Sequence, residues 1–595
     1  MTDTKEAHVD GLSISSSDTL PPFIFILPLE LLSLIVEAVA ECEPPRCPVS
    51  NLERERVDRK RIVRTLWDPV SAVQGGSLGW LRLAHVCRSW RHHICEDMPL
   101  LWAQHIGCFS HSGAIEEMLR RAGEGIPLSV QSRPEAHDPE RTCPPWSLVD
   151  SSVPSWSHSR FTSFKARIQS VHVIDFWNTG GENRDSLASI LNDLPELRSL
   201  EVYYLHLYND LKHLNEDELA KAGAPVILAP HLRTVRFANC FIPWTTPGVT
   251  HLSIALDYAE IPGNVFVDML GLIAPNIEAL EFDSAVPFRY FEQAHPVYAF
   301  PKLRYFYLRE QDTCAEGFLR VFQDTSLSGL YLSLIPSARH RWKEFFGPAI
   351  KNALILLRHE SSRPFRSVST TLASIVDGAS GLLREYVQLE FYREVTTVRS
   401  GRTTDFDLAI ATENPRHIRK DYGSCFTSTQ DSVAAVFPTI WGDIEAVDLD
   451  LPLWKYCDEM GALLSRLSNL RELRVVDMFE HLDHELVRDI QFPTAVFGNP
   501  HIHLDILCIV QTAKWDPELA KIWCNILTTG MKHALASSVT VDVEDRRTVR
   551  EQPCLGLLRL DFVGNSDAMQ HLSACGDEIV GIVKGTAERV ELRFL

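Results

Sequence analysis

Two short segments near the start of the chain carry apolar residues with the period of an amphipathic helix. In residues 27–41, Pro28 suits a first helical turn because proline has no N–H to lose there. The apolar positions that follow recur at spacings of three and four: Leu31, Leu32, Ile35, Val36 and Val39. In residues 82–94 they are Leu83, Val86, Cys87, Trp90 and Ile94. Each pattern predicts one helix with an apolar side.

A second pattern, of short apolar stretches with alternate buried positions, recurs from residue 168 to residue 560. Its central pairs are Val171/Val173, Leu200/Val202, Val235/Phe237, Leu280/Phe282, Phe306/Leu308, Leu330/Leu332, Val447/Leu449, Leu473/Val475 and Leu558/Leu560. Leu280 to Phe306 and Val447 to Leu473 are 26 residues each, and Phe306 to Leu330 is 24. This spacing predicts a strand and a return segment in each copy. A plain α/β domain would also place apolar residues in this way, so both architectures remain open.

The two helical segments together resemble the F-box. The resemblance lies in Leu-Pro-x-Glu-Leu-Leu-x-x-Ile from Leu27, Leu-x-x-Val-Cys-x-x-Trp from Leu83, and Pro-x-Leu-Trp from Pro99. In that family, such helices dock onto the Skp adaptor of cullin–RING ubiquitin ligases. The resemblance implies that ten residues lie in or beneath the docking surface: Leu27, Pro28, Leu31, Leu32, Ile35, Leu83, Val86, Cys87, Trp90 and Trp102.

The chain departs from the family pattern by an insertion between the two helical segments, residues 42–79. F-box proteins usually have only a few residues there, although similar interruptions are found in large fungal sets of the family. Loop closure costs about 0.6 kcal/mol for each doubling of loop length, so three doublings cost about 2 kcal/mol. The insertion is therefore compatible with one closed module, and it leaves the strength of adaptor binding open.

These patterns divide the chain into four parts and predict an α/β fold. We expect a disordered N-terminus over residues 1–22, because this segment is polar and low in aromatic residues. An F-box-like helical module follows over residues 23–110. Residues 131–163, rich in Pro, Ser and charge, predict a linker or surface loop. Residues 164–595 resemble the leucine-rich repeats of one class of F-box proteins, and would form an irregular repeat solenoid that binds a target.

Composition limits the classes of partner and compartment. The net charge of −20 argues against nucleic acid as the main ligand, because such binding depends on clustered cations. The 14 cysteines form neither a C-x-x-C pair nor a zinc spacing, which suits the reducing cytoplasm or nucleus. The apolar stretch from Leu20 to Val36 carries Glu30 and three prolines and is short for a membrane span, so we expect no membrane association.

The sequence offers little catalytic chemistry. It contains no nucleotide-binding glycine motif and no H-E-x-x-H, and we assign no catalytic residue, cofactor or metal. His85, His92 and His93 are interpreted as solvated histidines rather than metal ligands, since no carboxylate or thiol stands at ligand spacing. The basic run from Arg54 to Arg64 is interpreted as a solvated insert in preference to a nuclear-import signal.

The sequence therefore predicts a non-catalytic substrate receptor of a Skp–cullin–F-box ubiquitin ligase. Its partners would be the Skp adaptor, through it a cullin–RING ligase, and an unknown protein target. Aromatic residues of the body, among them Tyr203, Tyr305, Tyr307 and Tyr392, would be either recognition anchors or core. Two alternatives remain: an interaction scaffold without a ligase role, and an enzyme whose site the sequence does not reveal.

Overall fold

The computed structural model describes the chain in segments, and all structural statements below refer to them. The described residues are 27–46, 77–109, 112–132, 164–175, 182–204, 226–256, 261–287, 290–292, 297–323, 325, 327–335, 342–357, 365–377, 382–392, 408–414, 431, 433, 440–450, 463–464, 466–477, 504–513, 528, 532, 555–564, 573, 576–578, 580–582 and 587–594. The predicted disordered N-terminus, residues 1–22, lies outside them. So do residues 47–76 of the predicted insertion and residues 133–163 of the predicted linker.

Helices form the N-terminal part and recur between strands of the body. The α-helices are α1 Leu29–Cys42, α2 Arg88–His92, α3 Pro99–Ala103, α4 Ser112–Ala122, α5 Glu182–Asn192, α6 Gly263–Ile273, α7 Asp312–Leu319, α8 Trp342–Leu356 and α9 Ile440–Asp443. Short 3₁₀ segments lie at Gly79–His85, Lys165–Arg167 and Tyr290–Glu292, and a π-helical turn lies at His93–Asp97. We call residues 27–46 and 77–109 the helical unit.

The body is built on one large, mainly parallel sheet. Its strands are β1 Leu128–Ser132, β2 Ile168–Asp175, β3 Ser199–Tyr204, β4 Thr234–Ala238, β5 His251–Ala255, β6 Ala279–Asp283, β8 Tyr305–Gln311, β10 Gly329–Ile335, β11 Ser367–Asp377, β12 Leu382–Tyr392, β13 Leu408–Asn414, β14 Ala446–Asp450, β15 Glu472–Asp477, β16 Leu504–Ala513, β17 Leu555–Gly564 and β18 Ala587–Phe594. They follow chain order except that β13, β12 and β11 lie between β10 and β14 in reverse order. Strands β7 Tyr298–Ala299 and β9 Phe322–Gln323 form a separate pair.

The repeated apolar positions of the sequence lie side by side in this sheet. One row runs across seven strands through Val171, Leu200, Val235, Leu252, Leu280, Phe306 and Leu330. A matching row crosses the second half through Val368, Val447, Leu473, Leu507 and Leu558. All these side chains are buried. Because alternate residues of a strand share a face, the rows give the sheet one continuous apolar side.

Strand β12 is antiparallel to both of its neighbours, β11 and β13, whereas the other described pairings of the large sheet are parallel. This region falls between residues 360 and 432, where the sequence repeat is interrupted. Strands β11 and β12 have 11 residues each, about twice the length of β4, β5 and β6. The molecule is therefore a mixed α/β protein in which a long hairpin joins two parallel parts of one sheet.

Helices α6 and α7 cover the apolar face with a cluster of phenylalanines. Phe266 of α6 contacts Phe282 of β6 at a ring distance of 5.2 Å, and Phe318 of α7 contacts both, at 5.8 and 5.7 Å. All three rings are fully buried. The two contacts of Phe318 are edge to face, and aromatic contacts of this kind add to the free energy of apolar burial and fix the helices on the sheet.

Two residues that directly follow strands adopt a left-handed backbone. Asn239 after β4 has φ 55° and Ser284 after β6 has φ 52°. Each donates its N–H to the neighbouring strand segment, Asn239 to the Ala255 carbonyl at 2.8 Å and Ser284 to the Arg309 carbonyl at 2.7 Å. The chain thus leaves β4 and β6 by the same turn, which asparagine tolerates well.

The predicted linker begins two residues too early. Gln131 and Ser132 belong to β1, where Gln131 pairs with His172 and donates its N–H to the Ile106 carbonyl at 2.7 Å. This contact ties the first strand to the helical unit. Within the described residues, no helix has the length and apolar character needed to cross a membrane.

Candidate protein-docking surface

Helix α1 begins where the sequence predicts and buries one of its sides. Pro28 precedes the helix, and its carbonyl accepts the Leu32 N–H at 3.0 Å. Leu32, Val36 and Ala40 are buried and share a face, because they lie four residues apart. This face packs into the common core with the second half of the helical unit.

The second half is not the single helix that the apolar spacing predicts. A 3₁₀ segment ends at His85, and α2 begins at Arg88. Between them Cys87 is extended, with φ −157° and ψ 173°, and its Sγ accepts the Trp90 N–H at 3.4 Å. The thiol therefore caps α2 in the way a serine hydroxyl would, and it interrupts the predicted helix.

The structure joins the two halves directly at the points where residues 47–76 leave and re-enter the helical unit. Arg46 and Ser77 exchange both backbone hydrogen bonds, at 2.7 and 3.1 Å. Two residues on, Gly79 has φ +53°, and a Cβ there would lie 2.3 Å from the Glu43 carbonyl oxygen. Trp80 donates its N–H to the same oxygen at 3.1 Å. Only glycine permits this approach, so the neck formed by residues 43–46 and 77–80 depends on Gly79.

A chain of side-chain hydrogen bonds also connects the halves. Ser33 Oγ of α1 lies 2.9 Å from His93 Nε2, and His93 Nδ1 lies 3.0 Å from Asp97 Oδ2. His93 is buried, so its interpretation as a solvated histidine is wrong. Its partners satisfy both ring nitrogens, which is the condition for burying a polar ring at low cost.

Two tryptophans fill the centre of the helical unit. Trp80 and Trp102 meet edge to face at a ring distance of 5.0 Å, and Trp102 Nε1 donates to the Ile94 carbonyl at 2.8 Å. The Arg121 guanidinium of α4 lies 4.4 Å from the centre of the Trp102 ring, a cation–π contact. Trp102 thus lies beneath the surface and joins the second half of the helical unit to α4.

The helical unit exposes an unusual share of large apolar side chains. Of the eleven such side chains found exposed among the described residues, seven belong to it, and each is 45–62% exposed except Ile35, at 38%. We call these seven the docking surface: Leu29, Leu31, Leu34, Ile35, Leu78, Val86 and Leu100. Exposed apolar groups concentrated in one small unit are typical of a site for another protein.

The ten residues implied by the F-box resemblance differ in solvent exposure. Leu31, Ile35 and Val86 are exposed apolar residues of the docking surface, and Pro28 is exposed beside them. Partly buried are Leu27, Leu83 and Cys87; fully buried are Leu32, Trp90 and Trp102. Sequence reasoning missed Leu29, Leu34, Leu78 and Leu100. Leu34 follows Leu31 by three residues, so a second apolar stripe on α1 was the available signal.

The face of the large sheet opposite the apolar rows is polar, and we call it the polar face. Several charges near its two ends are paired across strands. Glu201 and Arg236 lie 3.0 Å apart, and Asp448 and Arg474 lie 2.7 Å apart. Arg559 and Glu591, in register with Arg474, lie 3.3 Å apart. These ends of the face therefore neutralise much of their own charge.

The aromatic residues of the body are mostly core. Tyr203, Trp244, Tyr307, Phe391 and Tyr392 are buried, whereas Tyr305 is 51% exposed on the polar face. The side chain of Tyr204 lies outside the described residues. Tyr307 stacks on Tyr331 at a ring distance of 4.5 Å and an interplanar angle of 9°. Tyr305 alone among these keeps the exposure that a recognition anchor needs.

Buried acids at the carboxyl ends of β6 and β8 serve the fold. Glu310 accepts the N–H groups of Val286, at 3.1 Å, and of Gln311, at 3.0 Å, and burial raises its pKa to about 8. Asp283 pairs with Arg309 at 2.6 Å. Across the described part of the chain, no group of three His, Cys, Asp or Glu side chains is arranged to hold a metal ion.

Sequence comparisons add no relative to this picture. The chain matches no protein-family model, and no curated protein matches it significantly in sequence.

Proposed function

We propose that this chain is the substrate-recognition subunit of a Skp–cullin–F-box ubiquitin ligase. The helical unit binds a Skp-type adaptor through the docking surface, and the sheet body binds the protein to be ubiquitinated. The chain itself performs no chemistry, because ubiquitin transfer belongs to partner subunits. Cytoplasm and nucleus are the compartments in which such a complex would work.

The observation that carries the proposal is the concentration of exposed leucines on the helical unit. Leu34 lies on the side of α1 opposite the buried residues Leu32 and Val36, and the exposed residues Leu31 and Ile35 extend from it around one flank of the helix. A helix that is apolar on two opposite sides stabilises itself against its own domain with one side and offers the other to a partner. Burying a leucine fully contributes about 1.5–3 kcal/mol, so this surface supports substantial affinity.

The body fits the role of a repeat solenoid of the leucine-rich class. This assignment is supported by buried apolar pairs that lie side by side in neighbouring strands, at a spacing of 24–26 residues in three of the steps. The common left-handed turn at Asn239 and Ser284 also supports it. A broad sheet face of this kind gives a protein target an extended area of contact.

The proposed mechanism is proximity. A target held on the body and a ubiquitin-charged enzyme held through the adaptor react as if within one molecule, which replaces a slow bimolecular encounter by a high effective concentration. The contribution of this chain is therefore binding energy and geometry, and no residue is assigned a catalytic role.

Adaptor capture by two matched triple variants of the full chain tests this proposal. One variant is Leu31→Ala with Leu34→Ala and Ile35→Ala on the docking surface, where the side chains are 38–60% exposed. The control is Leu228→Ala with Val297→Ala and Ile355→Ala on the body, where they are 42–58% exposed. Because each truncated side chain loses about 1 kcal/mol of apolar contact, the first variant should bind the Skp adaptor about 100-fold more weakly.

The control variant should bind the adaptor like the unaltered chain. Equal adaptor binding by both variants, or no adaptor binding by the unaltered chain, contradicts the proposed role of the docking surface. Trp90 is not a suitable test position, because its side chain is buried and its loss would unfold the helical unit.

A further inference from the structure

The two edges of the large sheet differ in how they are covered. At one edge, β1 is joined to the helical unit, since Gln131 donates its N–H to the Ile106 carbonyl at 2.7 Å and Val130 is fully buried. At the other edge, β18 pairs with β17, and no strand among the described residues pairs with its outer side. Because a strand directs the backbone groups of every second residue outward, this edge presents a row of N–H and C=O groups.

The apolar row of the second half is incompletely buried where it reaches β18. The five members of this row named above, from β11 to β17, are each 0–3% exposed. Val590 continues the row as the partner of Leu558, yet it is only partly buried. A further strand beyond β18 would cover Val590 and remove its apolar surface from water, which is favourable.

Strand β18 lacks two features that commonly protect an edge strand, proline and short length. It has eight residues, Ala587–Phe594, with neither proline nor glycine. Its four charges alternate in sign along the strand and sum to zero: Glu588, Arg589, Glu591 and Arg593. Copies of a chain with net charge −20 repel each other in general, but this edge carries no net charge that would oppose a close approach.

The charges of β18 select one register for pairing with a second copy. Two identical strands that pair antiparallel about a twofold axis are centred on one residue, because outward-directed residues alternate along each strand. Centring on Arg589 or on Glu591 would place like charges opposite each other, which is unfavourable. Centring on Val590 places Arg589 of each copy opposite Glu591 of the other and brings the two Val590 side chains together.

Arg589 and Glu591 are well placed for such a contact. Both lie on the polar face, where Glu591 already pairs with Arg559 of the neighbouring strand at 3.3 Å. Glu591 also contacts Arg589 of its own strand, whose side chain is 70% exposed. An ion pair so exposed contributes at most about 1 kcal/mol, so Arg589 can turn to the second copy at little cost. It would then continue the cross-strand pairing of charges on the polar face.

We propose that two copies of this chain form a dimer through antiparallel pairing of their β18 strands, centred on Val590. Such a dimer extends the large sheet without a break and is independent of adaptor binding. Because β1 and β18 stand at opposite ends of the strand order, the helical unit of each copy is remote from the contact and its docking surface stays free. The dimer therefore offers two bodies, and a target with two binding sites gains affinity from the high effective concentration of the second body.

Sedimentation equilibrium of the full chain, from about 1 to about 100 μM, tests this inference, because the dimer fraction rises with concentration. The average mass should rise from that of one chain toward twice that value. Arg589→Glu places like charges opposite each other at both pairs and should weaken dimerisation at least about tenfold. The control Arg304→Glu reverses the charge of an exposed arginine just before β8, inside the strand order, and should leave dimerisation unchanged.

Hydrogen exchange followed by mass spectrometry locates the contact. Amides of β18 in the unaltered chain should exchange more slowly at the high concentration than at the low one, and this difference should shrink in Arg589→Glu. Circular dichroism melts check that both variants are folded.

Two results would overturn the inference. One is the mass of a single chain over the whole concentration range. The other is a dimer that Arg589→Glu does not weaken and whose β18 amides exchange alike at both concentrations, which would place the contact elsewhere, for example on the leucines of the docking surface.

Discussion

Substitution of Gly79 tests most directly how the two halves of the helical unit are joined. Gly79→Ala forces a non-glycine residue to φ +53°, which costs about 1–2 kcal/mol. The new Cβ would also lie 2.3 Å from the Glu43 carbonyl oxygen and 2.6 Å from the Pro44 carbonyl carbon, so the neck must open. Opening breaks the hydrogen bond from the Trp80 N–H, at 3.1 Å, for about 1 kcal/mol more.

The full cost of Gly79→Ala is therefore about 3 kcal/mol or more. Gly123→Ala supplies a matched control, since Gly123 has φ +68° and a Cβ there would meet nothing within 4 Å. The control should cost only the backbone term, about 1–2 kcal/mol. The two substitutions should therefore differ in destabilisation by at least about 1.5 kcal/mol, and this difference measures the cost of disturbing the close backbone approach of the two halves.

Hydrogen exchange followed by mass spectrometry measures this difference locally, without requiring the whole chain to unfold in one step. Peptides from residues 27–46 and 77–109 should exchange at least about tenfold faster in Gly79→Ala than in Gly123→Ala. Peptides from β14 and β15 should exchange alike in both. Equal exchange in residues 27–46 would refute the argument that these halves meet backbone to backbone.

Two further substitutions test buried polar groups. Glu310→Gln should reduce the pH dependence of stability: the folded-state pKa of about 8 lies above the ordinary 4.5, so the fold binds the extra proton and loses stability as pH rises from about 4.5 to 8. The loss for the unaltered chain, at most about 4 kcal/mol, is read from urea unfolding at pH 5 and pH 8, and an unchanged slope in the variant would assign the pH dependence elsewhere. His93→Ala should destabilise the helical unit by about 2–4 kcal/mol, because it removes the partner of Ser33 and Asp97 and leaves a cavity, whereas Ser33→Ala should cost about 1 kcal/mol. Exchange rates of α1 peptides rank the two, and equal rates would contradict the bridging role of His93.

Sequence pattern predicted the strands of the body well where burial on one face decides the residue type. Leu280, Phe306 and Leu330 were aligned by spacing alone, and they are neighbours in the sheet. Strand β5 was missed although Val249, Leu252 and Ile254 keep the spacing of the other copies, because valine stands where those copies have a leading leucine or isoleucine. The direction of β12 was also missed, since alternation along a strand is the same whichever way the chain runs.

The helical unit shows why side-chain depth is harder to predict than helix position. The helical period placed α1 correctly. It also predicted a second helix that continues through Cys87, where the extended backbone interrupts the helix and the thiol caps the next one. The π-helical turn that begins at His93 adds a residue to the helical repeat and so shifts the positions that face inward. His93 itself follows the buried Trp90 by three residues, so the helical period places it on the buried side. It was placed in solvent because histidine is polar, whereas Ser33 and Asp97 supply partners for its ring nitrogens in the core.

The paired backbones of Arg46 and Ser77 give the insertion a fixed entry and exit a few ångströms apart. Because the segment leaves and re-enters at the neck, a change in its length does not alter the positions of the helices on either side. Residues 47–76 can therefore change in length or sequence while the leucines of the docking surface keep their positions. A protein engineer can graft a foreign domain there for the same reason.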